Sequence, residues 1–211
     1  EVLNAADFGV PQHRKRIFFV GVRSGIEFRW PRPTHGPLGE HPWVSVWEAI
    51  GDLPPLGPGE SAHEYHLPPQ TDYQRRMREG AVLLGNHESP KHPKGTSEMI
   101  ANTPPGEPMY EKFRQRIRLH PDRPSPTIVA GGIRPQFQFG HPTQPRGLTV
   151  RELARLQSFP DVVYFHGGIV QGRVQTGNAV PPLMASALAL AVRAALEDGF
   201  DPEEHGVPLR S

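Results

Sequence analysis

The chain of 211 residues contains no cysteine. This absence excludes disulfides, thiolate metal sites and a cysteine nucleophile supplied by these residues. An excess of charge of one sign is also lacking, because 23 Lys and Arg are balanced by 22 Asp and Glu, which leaves a formal net charge of +1. A strongly basic body is therefore excluded, and any binding of nucleic acid has to rely on local charge.

Long apolar runs are scarce as well. The longest lies near residues 183–196, which is shorter than the roughly 20 residues that a membrane-spanning helix needs. No segment resembles a secretory signal. We therefore expect no membrane partner and a cytoplasmic location.

Proline and glycine, by contrast, are abundant, with 26 and 22 residues of 211. Their share lies just below the roughly 25–30 % that is typical of disordered chains, so a globular protein rich in loops fits better. Prolines interrupt residues 24–146 and leave room only for short elements there. The capping-box pattern of Ser45 and Glu48 predicts one short helix, and residues 72–79 predict another, closed by Gly80.

The N-terminal region combines a basic segment with an apolar one. Residues 17–22 form a β-branched and aromatic run next to glycine, which predicts a buried strand. Just before it, alternate residues of an extended segment project to the same side, so Gln12, Arg14 and Arg16 are predicted to point together. Guanidinium groups suit an anionic or carbonyl-rich ligand. On spacing alone, an ordinary basic loop ahead of a strand is the simpler interpretation.

The C-terminal third is more regular. Thr149 as N-cap and Glu152 three residues later predict a helix that ends before Pro160. An alanine-rich helix over residues 183–197 follows, apolar on nearly its whole circumference and therefore expected to be buried on most sides. Asn178 is predicted to lie at the start of that helix, where a carboxylate would be favoured. Taken alone, simple helix capping is the favoured interpretation of this asparagine.

The order of three motifs points to a family. Residues 12–16 read Q-H-R-K-R, residues 146–161 read R-G-L-T-V-R-E-L-A-R-L-Q-S-F-P-D, and residues 177–182 read G-N-A-V-P-P. This order closely resembles the C-terminal half of bacterial DNA (cytosine-5) methyltransferases, and segments around Trp47 and Thr127 are similar to segments common there. The resemblance spans nearly the whole chain.

The resemblance implies an α/β fold, namely the C-terminal part of a doubly wound methyltransferase domain with a small, loop-rich recognition domain inserted. Residues 1–24 would supply a catalytic-domain strand and the Q-x-R-x-R loop. Residues 25–146 would form the target-recognition domain. Residues 147–211 would form a hinge helix, in which Arg151 and Glu152 are structural, and a C-terminal helix that returns to the catalytic domain.

The implied reaction transfers a methyl group from S-adenosylmethionine to C5 of a cytosine flipped out of duplex DNA of specific sequence. In the family, a cysteine thiolate adds to C6 and a glutamate assists at N3. By resemblance, Arg14 and Arg16 hold the flipped nucleotide and Gln12 supports the cysteine loop. Asn178 and the backbone of Ala179 contact the amino-acid end of the methyl donor. No metal is implied.

Several residues are expected to face DNA. Thr127 would lie near a phosphate, the backbone at Gly131 and Gly132 would approach the duplex closely, and Arg134 would reach a base edge or a phosphate. Residues 73–123 contain ten Lys and Arg against six Asp and Glu, which modestly favours a surface that faces phosphates.

The departures from the family pattern decide what the chain can do. The family's F-x-G-x-G cofactor loop, P-C nucleophile loop and E-N-V segment are all missing from this sequence. Since the chain also begins with Glu1 rather than Met, we expect it to be part of a longer protein or of a split enzyme. It would be inactive without an N-terminal catalytic half.

A second class of function also explains the missing cysteine. The chain would then be a non-catalytic, sequence-specific DNA-binding subunit or a decayed homologue. The presence of Gln12, Arg14, Arg16 and Asn178 argues against it, because a protein that only binds DNA needs neither a flipped-base clamp nor a contact with the methyl donor.

Overall fold

A computed structural model describes residues 1–130, 137–197 and 199–210 of the chain. Strands β1 (Val2–Asn4) and β2 (Lys15–Ile17) pair antiparallel, with Val2 opposite Ile17. The α-helices found in these ranges are α1 (Val46–Ile50), α2 (Asp72–Arg78), α3 (Lys94–Asn102), α4 (Val150–Leu156), α5 (Gly168–Asn178) and α6 (Pro182–Leu196). Short 3-10 helices cover Ala5–Phe8 and Pro202–His205.

Capping boxes set the beginning of three helices. Ser45 and Glu48 exchange hydrogen bonds at the start of α1, and Thr149 and Glu152 do the same at the start of α4. Both predicted starts are confirmed, and α2 agrees with the prediction to within one residue. The two helices that the sequence did not predict, α3 and α5, have no side-chain cap.

The main hydrophobic core lies where α1, α2 and α4 pack together, and it also takes in Ile128. Its members come from both sides of the expected boundary at residue 146, so the division into a recognition domain and a hinge remains a prediction. The buried residues of this core are Val46, Ala49, Ile50, Leu53, Tyr73, Met77, Leu84, Leu119, Ile128, Phe139, Leu148, Leu153 and Leu156.

A second core joins α6 to the N-terminal segment. Met184 and Ala187 pack there against Leu3 and Phe8. Only Met184, Ala187 and Ala191 of α6 are fully buried, and Leu196 is 63 % exposed. Within the described part of the chain this helix is therefore buried on one face and not on most sides, because its three buried residues follow the spacing i, i+3 and i+7.

The predicted buried strand over residues 17–22 is also wrong. Strand β2 ends at Ile17, all three of its residues are exposed, and Phe19 is 94 % exposed. In the described ranges β2 pairs with β1 alone, and no further strand extends the sheet from its other edge. The apolar composition of this run indicates an apolar surface instead of a core strand.

The turn after α4 holds the beginning of α6. Helix α4 ends at Leu156, earlier than the expected stop before Pro160, and Ser158 adopts φ of 60°. Its hydroxyl accepts a hydrogen bond of 3.2 Å from the backbone N–H of Leu183. Helix α6 has no side-chain cap from its own N-cap residue, Pro181. A residue of the preceding turn therefore satisfies a free N–H of its first turn.

One stretch, Gly168–Leu196, is long and apolar enough by length and composition alone to cross a membrane. A single such stretch is weak evidence. It consists of two helices, α5 and α6, that are separated at residues 179–181. The absence of a membrane partner remains a prediction.

Candidate functional site

Three segments that are far apart in the sequence meet around Gln12 and Arg14. The N–H of His13 donates to the carbonyl of Ser125 at 2.8 Å, and the N–H of Ser125 donates to the carbonyl of Pro11 at 2.9 Å. The hydroxyl of Thr127 adds a bond of 2.8 Å to the carbonyl of His13. The Q-x-R-x-R motif thus lies beside residues 127–130, which we call the recognition segment.

The carboxamide of Gln12 links that segment to helix α4. It is fully buried, it accepts a hydrogen bond from the N–H of Ile128 at 2.9 Å, and it donates to the carbonyl of Leu156 at 3.1 Å. Both ends of the side chain are satisfied by backbone groups. Gln12 therefore fixes backbone positions and has no free group for a ligand.

The guanidinium of Arg14 links the recognition segment to residues 177–180. Its Nη1 donates to the carbonyl of Ile128 at 2.8 Å, and its Nη2 donates to the carbonyls of Gly177 and Ala179 at 3.0 and 3.1 Å. Arg14 is 4 % exposed. Burial, together with the nearby charge of Arg16, lowers the pKa of Arg14 to about 10, so the group stays protonated at neutral pH.

Gly177 allows the two segments to approach each other. A Cβ at this position would lie 2.2 Å from the backbone nitrogen of Ala130 and 2.5 Å from the carbonyl carbon of Val129. No side chain fits against backbone at such distances. The glycine of the G-N-A-V-P-P motif is therefore required by contact with the recognition segment.

The outer side of this junction carries Arg16 and Asn178. Arg16 is exposed, and its guanidinium donates to the carbonyl of Lys15 at 2.7 Å. The structure thus brings Gln12 and Arg14 together inside the protein, but it directs Arg16 to solvent. This arrangement corrects the expectation that the three side chains point together.

Asn178 lies at the end of a helix and not at the start of one. It is the last residue of α5, and α6 begins only at Pro182, after Pro181. The helix-dipole argument for this residue is therefore wrong. Asn178 is exposed, and its carboxamide has no hydrogen-bond partner in the part of the chain that the structure describes. Next to it, Val180 is 54 % exposed.

Gln138 is a part of the site that sequence reasoning missed. Its carboxamide donates to the carbonyl of Thr127 at 2.9 Å and accepts from the N–H of Val129 at 3.0 Å, so it holds the recognition segment from the other side. The alternation of Gln138 with the buried Phe137 and Phe139 is the signal that could have found it. The predicted DNA-facing residues Gly131, Gly132 and Arg134 lie outside the described residues.

The charged side chains in and around helix α4, next to the junction, include several that are completely buried. Arg146 holds Glu152 through two bonds of 2.7 and 2.9 Å, and Arg155 holds Asp161 through two bonds of 2.6 Å. Arg151 donates to the carbonyl of Gly85 at 2.8 Å. These buried side chains bind other protein groups, as expected for a structural role of Arg151 and Glu152.

Electrostatics agree with that assignment. Burial by itself would raise the pKa of Glu152, but Arg146 and His141 outweigh it and hold this pKa well below its ordinary range. Burial lowers the pKa of His141 to about 4, against the smaller opposing effect of Glu152. His141 is therefore neutral at pH 7.

No group of three or more His, Asp or Glu side chains in the described ranges could hold a metal ion. A groove of about 1040 Å³ lies elsewhere, between α2, α6 and the loop that contains His35 and His41. It contains none of the predicted site residues. The junction of Gln12 and Arg14 with residues 127–130 and 177–180 therefore remains the candidate site.

Comparison with solved structures defines the class of fold. The chain aligns with the crystal structure of an E. coli prophage protein described as a DNA modification methyltransferase, with a TM-score of 0.72 and 23 % sequence identity. The alignment covers 93 % of this chain and 59 % of that one. The fold is thus that of a methyltransferase, consistent with a mixed α/β protein.

Sequence comparison identifies the family. The family model described as C-5 cytosine-specific DNA methylase matches residues 1–194. Similar curated proteins include the Type II methyltransferases M1.HphI of Haemophilus parahaemolyticus, 39 % identical over 91 % of this chain, and M.NgoFVII of Neisseria gonorrhoeae, 38 % identical over 95 %. The chain belongs to the C-5 cytosine-specific DNA methylase family, whose methyltransferases use S-adenosylmethionine as methyl donor. It spans 46 % and 50 % of the length of these two relatives.

Proposed function

We propose that the chain is the C-terminal part of a DNA (cytosine-5) methyltransferase that acts on a specific duplex sequence. The observation that carries this proposal is the junction itself. Arg14 of the first motif binds Gly177 and Ala179 of the last motif and Ile128 of the recognition segment. In the proposed enzyme, the segments for the methyl donor and for DNA are therefore side by side.

The methyl donor fits the outer face of residues 177–180. S-adenosylmethionine supplies an electrophilic methyl group, and its amino-acid end carries both an ammonium and a carboxylate group. The exposed carboxamide of Asn178 can donate a hydrogen bond to the carboxylate and accept one from the ammonium. The carbonyl of Ala179 is already used by Arg14, so the side chain of Asn178 is the group available to orient this end of the ligand.

DNA would be held on the same side by Arg16 and by the recognition segment. Arg16 presents an exposed guanidinium, which suits a phosphate or the O2 carbonyl of the flipped cytosine. Thr127 is half-buried and already donates to His13, so its part would be to hold the backbone of this segment near the phosphate. Arg134 and the backbone at Gly131 and Gly132 would extend the contact.

The nucleophile has to come from elsewhere. The chain has no cysteine, whereas addition to C6 of cytosine requires a thiolate. We propose that an N-terminal catalytic half, either fused or separate, supplies the P-C loop, the glutamate segment and the glycine-rich cofactor loop. It would also supply the other strands of the doubly wound sheet, in which residues 25–146 are an inserted recognition domain.

An exposed apolar surface is the place where this half would pack. Ile17, Phe19 and Val22 are 64 %, 94 % and 41 % exposed, and Leu196 of α6, which is 63 % exposed, lies beside Phe19 and Val22. Neighbouring apolar side chains of this extent mark an interaction surface. We therefore expect the chain to be poorly soluble without its N-terminal half. Light scattering on the isolated chain tests this, and a monodisperse, cooperatively melting monomer would contradict it.

Methyl transfer to duplex DNA from radiolabelled S-adenosylmethionine tests the function directly. The chain alone is expected to give background incorporation, whereas the polypeptide that combines it with the cysteine-bearing half is expected to label cytosine. Clear activity of residues 1–211 alone would overturn the proposed division of labour. The coding sequence upstream of Glu1 shows whether the two halves share one reading frame.

The absence of cysteine also favours one other function, a non-catalytic subunit or decayed homologue that binds a specific DNA sequence. The same experiment separates the two. Sequence-specific DNA binding without methyl-donor binding, even with the N-terminal half present, would support the alternative. Binding of the donor product S-adenosylhomocysteine would exclude it.

A further inference from the structure

Arg14 stands between two backbone segments to which the proposed function gives different roles. One nitrogen of its guanidinium binds the carbonyl of Ile128, in the recognition segment. The other nitrogen binds the carbonyls of Gly177 and Ala179, beside the proposed methyl-donor site. No carboxylate pairs with Arg14 among the residues that the structure describes, so its hydrogen-bonding capacity is spent on backbone.

Gln12 offers a comparison within the same motif. It is buried like Arg14 and also binds the backbone of Ile128, but its second bond goes to the carbonyl of Leu156 at 3.1 Å. It makes no hydrogen bond to residues 177–180. The two side chains therefore share one segment and differ in the other.

The two segments that Arg14 joins touch each other directly. Gly177 lies so close to Ala130 that a Cβ would be 2.2 Å from its backbone nitrogen. The two segments therefore cannot move closer together, because close-packed backbone cannot be compressed. Arg14 fixes this contact from the interior, and at 4 % exposure it has little surface left for a nucleotide.

We propose that Arg14 is a positioning residue that couples methyl-donor binding to DNA recognition, by holding the backbone of residues 177–180 and of residues 127–130 in one arrangement. This inference rests on the proposed function. It assigns contact with the flipped nucleotide to Arg16 and removes it from Arg14. Since coupling between two binding sites is reciprocal, the methyl donor and DNA should each raise the affinity for the other through this side chain.

The test uses the complete enzyme, with the cysteine-bearing half present, and three variants. The probe is S-adenosylhomocysteine, titrated by calorimetry in the absence of DNA. Arg14→Met should weaken its binding about tenfold, because buried, charge-assisted hydrogen bonds to the donor segment are lost. Gln12→Met and Arg16→Met should change this affinity less than about twofold, since neither side chain holds residues 177–180. Equal affinity of Arg14→Met and wild type would overturn the inference.

Arg14→Lys distinguishes positioning from direct contact with DNA. A lysine keeps the charge but presents one compact ammonium, which cannot span carbonyls of two segments. It should therefore fail to restore binding of S-adenosylhomocysteine. Recovery of wild-type DNA affinity and turnover by Arg14→Lys would show that Arg14 acts as a charge on a phosphate, contrary to the inference. If Arg14→Met does not fold, Arg14→Lys carries the comparison.

Hydrogen exchange on the same variants measures how firmly the backbone of the junction is held in the absence of any ligand. Substitution at Arg14 should speed exchange of amides in both residues 127–130 and residues 176–180, whereas Gln12→Met should affect only the first range. An effect of the Arg14 variants confined to one range would contradict the coupling. Failure of the proposed function is seen separately, because wild-type enzyme would then transfer no methyl group to DNA.

Discussion

Two neighbouring groups of arginines in this molecule differ in what their guanidinium groups bind. Around α4, the side chains of Arg146, Arg151 and Arg155 are fully buried, and each lies within 4.0 Å of a carboxylate. In the N-terminal motif, Arg14 is buried against carbonyls only and Arg16 lies in solvent.

The presence or absence of a carboxylate partner separates structural from functional arginines among the family's motifs. A buried guanidinium with a buried carboxylate is neutralised and satisfied, so it has nothing left to offer a ligand. Arg14 and Arg16 have no such counter-charge among the described residues. Arg14 holds backbone carbonyls instead, and the exposed Arg16 keeps a positive potential that an anionic ligand can use. If the comparison is right, substitutions in the first group should reduce stability and those in the second should reduce function.

The largest effect is expected from Arg155→Met. The change removes the cation that pairs with both Asp161 and Asp52, and leaves these buried carboxylates with one arginine contact each, to Arg151 at 3.4 Å and to Arg78 at 3.2 Å respectively. Removing one partner of a buried pair costs about 3–5 kcal/mol of unfolding free energy. Urea unfolding of the complete enzyme measures it. The control is Arg193→Met on α6, whose exposed pair with Glu197 should be worth less than about 1 kcal/mol. Equal losses would break the comparison.

The second largest effect is expected from acidification, which should weaken the packing of the buried charges around α4. Backbone N–H groups of Thr143 and Gln144 donate to Nδ1 of His141, so its proton lies on Nε2, near Glu152. With a folded-state pKa of about 4 against an ordinary 6.5, the unfolded chain takes up a proton that the folded protein does not. Stability that is present above pH 6.5 is therefore lost as the pH falls toward 4.

This loss amounts to about 3 kcal/mol, at roughly 1.4 kcal/mol for each unit by which the pKa is lowered. Unfolding free energies measured between pH 7 and pH 4 give the slope. His141→Gln should flatten it, whereas His166→Gln, at an exposed position, should leave it unchanged. A wild-type slope in the His141 variant would contradict the assignment.

Gly177→Ala should have an intermediate effect, on both stability and ligand binding. The added methyl group has to displace the backbone of Ala130, since it would otherwise lie 2.2 Å from its nitrogen. Overpacking of this kind costs about 1–3 kcal/mol, and binding of S-adenosylhomocysteine should weaken with it. Gly95→Ala in α3 is the matched control, because a Cβ there meets nothing within 4 Å. A neutral Gly177→Ala would show that the two segments are free to separate.

Arg16→Gln should change stability least, by less than about 0.5 kcal/mol, as is usual for a surface substitution. It should nevertheless weaken DNA binding by the complete enzyme. If the contact is with a phosphate, the slope of log affinity against log salt should fall by about one unit. Unchanged DNA affinity and turnover would place Arg16 with the structural arginines and remove the contrast between the two groups.

Sequence reasoning predicted the elements whose signals are local. Capping boxes at Ser45 and Thr149 involve residues three positions apart, so they can be read directly from the sequence. Helices α3 and α5 begin without a side-chain cap, after Pro93 and Gly167, and went undetected for that reason. The prediction of a buried strand after Arg16 was wrong, because an apolar composition indicates a surface that packs against something but does not identify its partner.

The site was predictable only as a set of residues. Gln12, Arg14 and Asn178 were singled out, but their arrangement depends on contacts across more than a hundred positions, such as that between Arg14 and Gly177. Alternation in an extended segment placed Arg14 and Arg16 together, whereas packing buried one and exposed the other. Gln138 belongs to no motif, and the alternation with its neighbours indicates an extended segment but not its role, which exists only after residues 127–129 have come to lie beside it.

Ser158 has a consequence for the order in which the molecule assembles. Its hydroxyl accepts from the N–H of Leu183, while α6 has no cap of its own. The C-terminal helix therefore gains a fixed starting point only once the turn after α4 has formed. In a growing or refolding chain, this anchor of α6 can form only after the turn at Ser158 is in place.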